Sequence, residues 1–106
     1  MTKLIESLHQ TLGLSTTQIS EALSRHNNAQ QISPEIVSQW LAGDEAMPDR
    51  LNHAAALVII ECWMETRDSC DPTELLAVDK KFTRMLRDFS MAEIINLRRQ
   101  LFAEQQ

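Results

Sequence analysis

The stretch from Leu14 to Gly43, LSTTQISEALSRHNNAQQISPEIVSQWLAG, constrains the chain more than any other, because it carries two helix-start signals and one stop signal. Ser15 is followed three residues later by Gln18, the spacing of a capping box, and Leu14 and Ile19 flank it as a hydrophobic staple. Ser33 stands before Pro34, which costs nothing at a first helical position because the N–H it lacks has no helical acceptor. Ile32 and Val37 can staple this second start. Gly43 sits where a left-handed C-terminal cap is expected. Local chemistry therefore specifies a helix, a polar loop and a second helix.

The rest of the chain continues in the same register. Gly occurs twice, Pro three times and Tyr not at all among 106 residues. No alternating β-branched run bounded by turn residues is present. Leu, Ala, Ile, Glu, Gln and Met recur, mostly good helix formers. The expected fold class is all-α, a compact helix-turn-helix bundle with a C-terminal two-helix extension.

In chain order, the first helix is expected over Thr2 to Leu12, with Leu4, Ile5, Leu8 and Leu12 on one stripe and Gly13 ending it. The second runs from about Thr16 to Ser24. RHNNAQQ, residues 25–31, follows as a solvated loop. The third spans Pro34 to Ala42, with Ile36, Val37, Trp40 and Leu41 as its apolar face. Leu51 to Thr66 is apolar over more than half its circumference, the pattern of a central helix. Arg67 to Asp71 reads as a linker. Asp71-Pro72-x-Glu74 then opens a helix to Phe89, with Leu75, Leu76, Val78, Phe82, Met85, Leu86 and Phe89 apolar. Ser90-x-x-Glu93 is a further capping box for a last helix, 91–104, carrying Ile94, Ile95, Leu97, Leu101 and Phe102. Two domains are expected: a bundle over 1–66, and a helical hairpin over 67–106 packed on the same core and serving dimerisation.

Charge is unevenly spread. The chain carries a net −5. Residues 1–50 hold three basic and six acidic groups, and residues 51–79 hold one basic and six acidic. Residues 80–106 reverse the sign, with six basic groups against three acidic. The longest apolar run, Ala54 to Ile60, is too short to cross a bilayer, and the N-terminus lacks the pattern of a secretory signal. No membrane association is expected, and a cytoplasmic location is. Cys62 and Cys70 are read as free thiols, a disulfide being the other pairing state their spacing allows.

Catalysis finds no support in the residues. His9, His26 and His53 lie apart from cysteines and carboxylates at metal-ligand spacing, and no phosphate loop or nucleophile elbow occurs. The expectation is a protein that is not an enzyme and takes no cofactor or metal.

Residues 4–62 resemble the helix-turn-helix of the phage-repressor and Cro-like (XRE-type) family. The likeness rests on Leu14-Ser15, Ile19 and Leu23, on Ile32-Ser33, on the run of Val37, Ser38, Trp40 and Gly43, and on Pro48 in the following turn. The loop at 25–31 is longer than that family's usual tight turn, and Gln39 stands where relatives often carry arginine. The resemblance implies a sequence-specific transcriptional regulator, bacterial or phage, binding double-stranded DNA as a homodimer through helix 33–42. Ser33, Glu35, Ser38 and Gln39 would lie in or beside the major groove, Gln39 being suited to adenine. Arg25, Asn27, Asn28 and Gln31 would approach the backbone. The acidic first 79 residues argue the other way, since a DNA-reading face is ordinarily basic. They support a second expectation: an acidic adaptor or inhibitor that binds a basic protein partner on the same scaffold. The cluster Lys80, Lys81, Arg84, Arg87, Arg98 and Arg99 is either a phosphate-binding strip, a docking face for another copy, or a solvated surface.

Overall fold

The computed structural model describes residues 4–26 and 31–104, and all regular structure among them is helical. The chain forms two compact units, Met1–Val58 and Ile59–Gln106. Their boundary falls inside a helix, whereas composition had suggested the loop after Thr66.

In the first unit, α1 spans Leu4–Glu6 and widens into a π-helical turn over Ser7–Thr11. The Leu12 N–H donates to Ser7 O, five residues back, at 3.2 Å. His9 Nδ1 lies 2.9 Å from Leu14 O, so the ring donates across the end of the turn. Gly13 then reverses the chain at φ 70°, a left-handed conformation that glycine adopts without a Cβ penalty. The unbroken α-helix expected to Leu12 is therefore underwound at its end by these local bonds.

Helix α2 is Thr16–Arg25 and α3 is Pro34–Ala42, and the two pack on each other. Both expected start signals are made. The Gln18 N–H donates to Ser15 Oγ at 3.1 Å, and the Ser15 N–H returns the bond to Gln18 Oε1 at 2.9 Å. The Ile36 N–H donates to Ser33 Oγ at 3.3 Å. Gly43 closes α3 at φ 86°. Ile5, Leu8, Ile19, Leu23, Val37 and Leu51 are essentially sealed from solvent, with Ala22 and Trp40 nearly so. Each large side chain contributes roughly 1.5–3 kcal/mol through burial, against about 1 kcal/mol for a cap, so packing dominates and the caps set where the helices begin.

After a 3-10 turn at Asp49–Leu51, α4 runs over Asn52–Ser69. Ala54 through Ile60 are all buried, as an apolar circumference requires. This helix gives its first turns to one unit and its later turns to the other. It also absorbs most of the expected linker. Thr66 Oγ1 and Ser69 Oγ bond back to the carbonyls of Cys62 and Glu65 at 2.7 and 2.8 Å, and Arg67 is tied down by an ion pair described below. Cys62 and Cys70, both half-buried, form no disulfide.

The second unit continues through a 3-10 turn, Pro72–Glu74, into α5, Leu75–Met85, and α6, Met91–Glu104. The single helix expected over 72–89 is thus shortened at both ends. The side chain of Asp71 makes no cap bond; its carbonyl accepts instead from the Glu74 N–H at 2.9 Å, which winds the entry as 3-10. At the other end the Leu86 N–H reaches both Phe82 O and Thr83 O, and the chain turns before Ser90. There the expected capping box forms, Glu93 N–H to Ser90 Oγ and Ser90 N–H to Glu93 Oε1, each 3.1 Å. Ile59, Ile60, Phe82, Leu86, Ile94, Leu97 and Leu101 form this unit's core.

Four apolar residues assigned to inward faces are exposed instead: Ile36 at 40%, Leu76 at 67%, Ile95 at 43% and Phe102 at 44%. On a short helix only the positions within about a third of a turn of the buried stripe reach the core. Val37 and Trp40 take that place on α3, Phe82 on α5, and Ile94, Leu97 and Leu101 on α6.

No helix among the described residues is long and apolar enough to cross a membrane.

Candidate nucleic-acid interface

Helix α3 is held from one side. Val37 is fully buried and Trp40 is 5% exposed, while Glu35, Ile36, Ser38 and Gln39 are open to solvent. The split follows from helical spacing, since 37 and 40 share one face and 35, 38 and 39 fall away from it. Three of the residues the sequence nominated for the groove are therefore on one accessible surface. Ser33 begins that surface. Its Oγ accepts the Ile36 N–H, which leaves its hydroxyl proton available to donate to an anion.

The loop that precedes α3 is anchored by a residue that sequence reasoning passed over. Ser24 Oγ donates to Ser20 O at 2.6 Å and accepts the Ile32 N–H at 3.0 Å. One hydroxyl thereby ties the last turn of α2 to the residue just before the α3 cap, and sets where α3 starts. A serine near a helix end is too common a feature to announce such a bond. Of the proposed backbone-contacting residues, Arg25 ends α2 and is exposed, and Gln31 is exposed at the loop exit. Asn27 and Asn28 lie outside the described residues.

The C-terminal end of α3 is acidic. The Asp44 N–H donates to Gln39 O at 3.0 Å, so the chain folds back on the last turn of the helix. Asp44, Glu45 and Asp49 are all exposed. Their charges add to the partial negative charge of the helix end. Helix α3 itself carries one acid, Glu35, and no base. Gly43 makes the fold-back possible: a Cβ there would meet no atom within 4 Å, so its constraint is the left-handed backbone alone.

The second unit holds a polar cluster of a different kind. Asp79 accepts the Trp63 indole N–H at 2.8 Å, and both its oxygens accept from Arg67 Nη1, at 2.6 and 2.7 Å. The Trp63 bond, then that from Arg67, hold the Asp79 carboxyl below the usual carboxylate range. The Trp63 ring stacks on Phe82 with centroids 5.9 Å apart and planes 4° from parallel, and Lys81 Nζ stands 5.7 Å from the Phe82 centroid. This arrangement brings α4 and α5 into a fixed register. On α5, Lys80, Thr83 and Arg84 are exposed.

No known protein family, curated protein or solved structure matches the chain.

Proposed function

We propose that this chain is a sequence-specific DNA-binding regulator that reads the major groove of duplex DNA with α3 and acts as a homodimer. One observation carries the reading. Helix α3 is short, capped at Ser33 and locked by Val37 and Trp40 on a partner helix, and it presents Glu35, Ser38 and Gln39 together on its free side. A rigid helix with polar side chains on an accessible face is what direct readout of base edges requires. Gln39 can pair bidentately with adenine, Glu35 can accept from a cytosine amine, and the exposed Ile36 offers apolar contact to a thymine methyl. Self-association would use the second unit, where Met91, Ile95 and Phe102 recur at i, i+4 and i+11 as an exposed apolar stripe of α6.

The test is selection from a random duplex pool at about 50 and about 200 mM salt, with solution mass measured in parallel. Enrichment of a two-fold symmetric site by a dimer is the expected result. No retention at the lower salt overturns the reading.

A second reading is favoured by the acidic end of α3. Asp44 and Glu45 folded against Gln39, with Glu35 on the same helix, form a surface suited to a basic protein partner. On that reading the chain is an adaptor or inhibitor, and a cationic protein is retained under conditions where duplex DNA is not.

A further inference from the structure

Helix α3 has no cation, and phosphate neutralisation supplies most of the affinity of a DNA-binding protein. A regulator built on this chain therefore needs its cations elsewhere. Among the described helices only α5 carries more basic than acidic residues. Lys80, Lys81 and Arg84 lie on it, and its one acid is Asp79. That acid is already committed to Trp63 and Arg67, so it does not neutralise its neighbours. Phe82 and Leu86 take the buried side of the segment, which leaves Lys80, Thr83 and Arg84 on the opposite, exposed side. Lys80 and Arg84 are one turn apart, about 6 Å along the axis. With Thr83 and the edge of Asp79 they line an open depression of about 370 Å³.

We propose that the α5 strip of Lys80, Thr83 and Arg84 binds the phosphate backbone of duplex DNA. The proposal rests on the regulator reading above and assigns to α5 phosphate contacts that α3, which carries no cation, does not make. Two cations reach phosphate oxygens, and the Thr83 hydroxyl donates a neutral hydrogen bond between them. The Arg67 ion pair and the Trp63 bond engage the Asp79 carboxylate, which lies at the edge of the same depression.

The experiment compares the full-length chain with its Lys80→Gln/Arg84→Gln double variant on random and on selected duplex, over salt from about 50 to about 200 mM. The expected result is a loss of roughly two units in the slope of log K against log salt, equal on every sequence, with the preferred site unchanged. Near-ultraviolet dichroism, to which Trp40 and Trp63 both contribute, checks that the packing of the double variant matches the wild type. Wild-type binding with an unchanged slope in the double variant overturns the strip and leaves the regulator reading standing. Salt-dependent binding that has no sequence preference and is lost in the double variant supports the strip and overturns base reading by α3. No binding by the wild type at the lowest salt overturns both. Loss of self-association in the double variant, with DNA binding intact, assigns the strip to the acidic surface of a second copy and overturns the proposal.

Discussion

The two units solve the same problem, fixing one helix against another, by different means. In the first, α2 and α3 pack through apolar side chains, with serine caps at both starts and the Ser24 hydroxyl tying the end of α2 to the α3 entry. In the second, α5 is set against α4 by an aromatic stack and a carboxylate shared between an indole and a guanidinium. The first device leaves the outer face of α3 open to solvent. The second engages Asp79, the one acid of α5, on a helix that also carries Lys80, Lys81 and Arg84. Core packing thus shapes the charge pattern of the surface as well as its stability.

The largest expected effect tests the first device. Trp40→Ala should cost about 3–5 kcal/mol of stability, measured as a lower urea midpoint, because it empties a nearly sealed site between α2 and α3. Ile36→Ala on the same helix should change stability by less than about 0.5 kcal/mol. Equal losses at the two positions would mean that α3 is not held from one side.

Gln39→Ala should cost about 1–3 kcal/mol at a single base position and leave other positions alone, read by competition with point-substituted duplexes. A uniform loss on every duplex would remove Gln39 from base reading. Ser33→Ala and Ser15→Ala should each cost about 1 kcal/mol, and Ser33→Asp should recover most of the first loss.

The second device should show itself through pH. The folded carboxyl of Asp79 titrates below its ordinary value, so the stability it contributes is fully present above pH about 4 and is lost as pH falls through the lowered folded value. Arg67→Gln should flatten that acid dependence, read from urea midpoints measured across the acid range. An acid profile indifferent to Arg67 would mean that the pair contributes nothing beyond its geometry. Its exposure makes the expected effect small.

How far these features were legible follows from the range of the forces behind them. Capping boxes at Ser15 and Ser90, the cap at Ser33 and the left-handed Gly43 involve atoms within a few residues, and each formed as its spacing predicts. The all-α class and the long buried helix are equally local, being periodicity and composition. Helix ends were read less well. The π turn before Leu12, the extension of α4 to Ser69 and the early end of α5 each depend on a bond that spacing does not announce. The solvent-exposed side of α3 was legible because 3.6-residue periodicity separates Glu35, Ser38 and Gln39 from Val37 and Trp40. Ser24 was missed because its bond to Ile32 closes across a polar loop.

What the sequence by itself determined, then, is where helices start, which of them are apolar throughout, and which side of α3 faces out, because all three are set by neighbours along one turn. What only the tertiary structure decided is which apolar residues are left over and which charges are spent. Leu76, Ile95 and Phe102 look no different from core residues in a helical pattern, but the core has room only for the stripe centred on Phe82, Ile94, Leu97 and Leu101. Asp79 looks like a surface acid beside two lysines, until the fold brings Trp63 and Arg67 to it from sixteen and twelve residues away. The side chains that compete for space or for a proton come from different helices, and their meeting is settled by packing rather than by spacing.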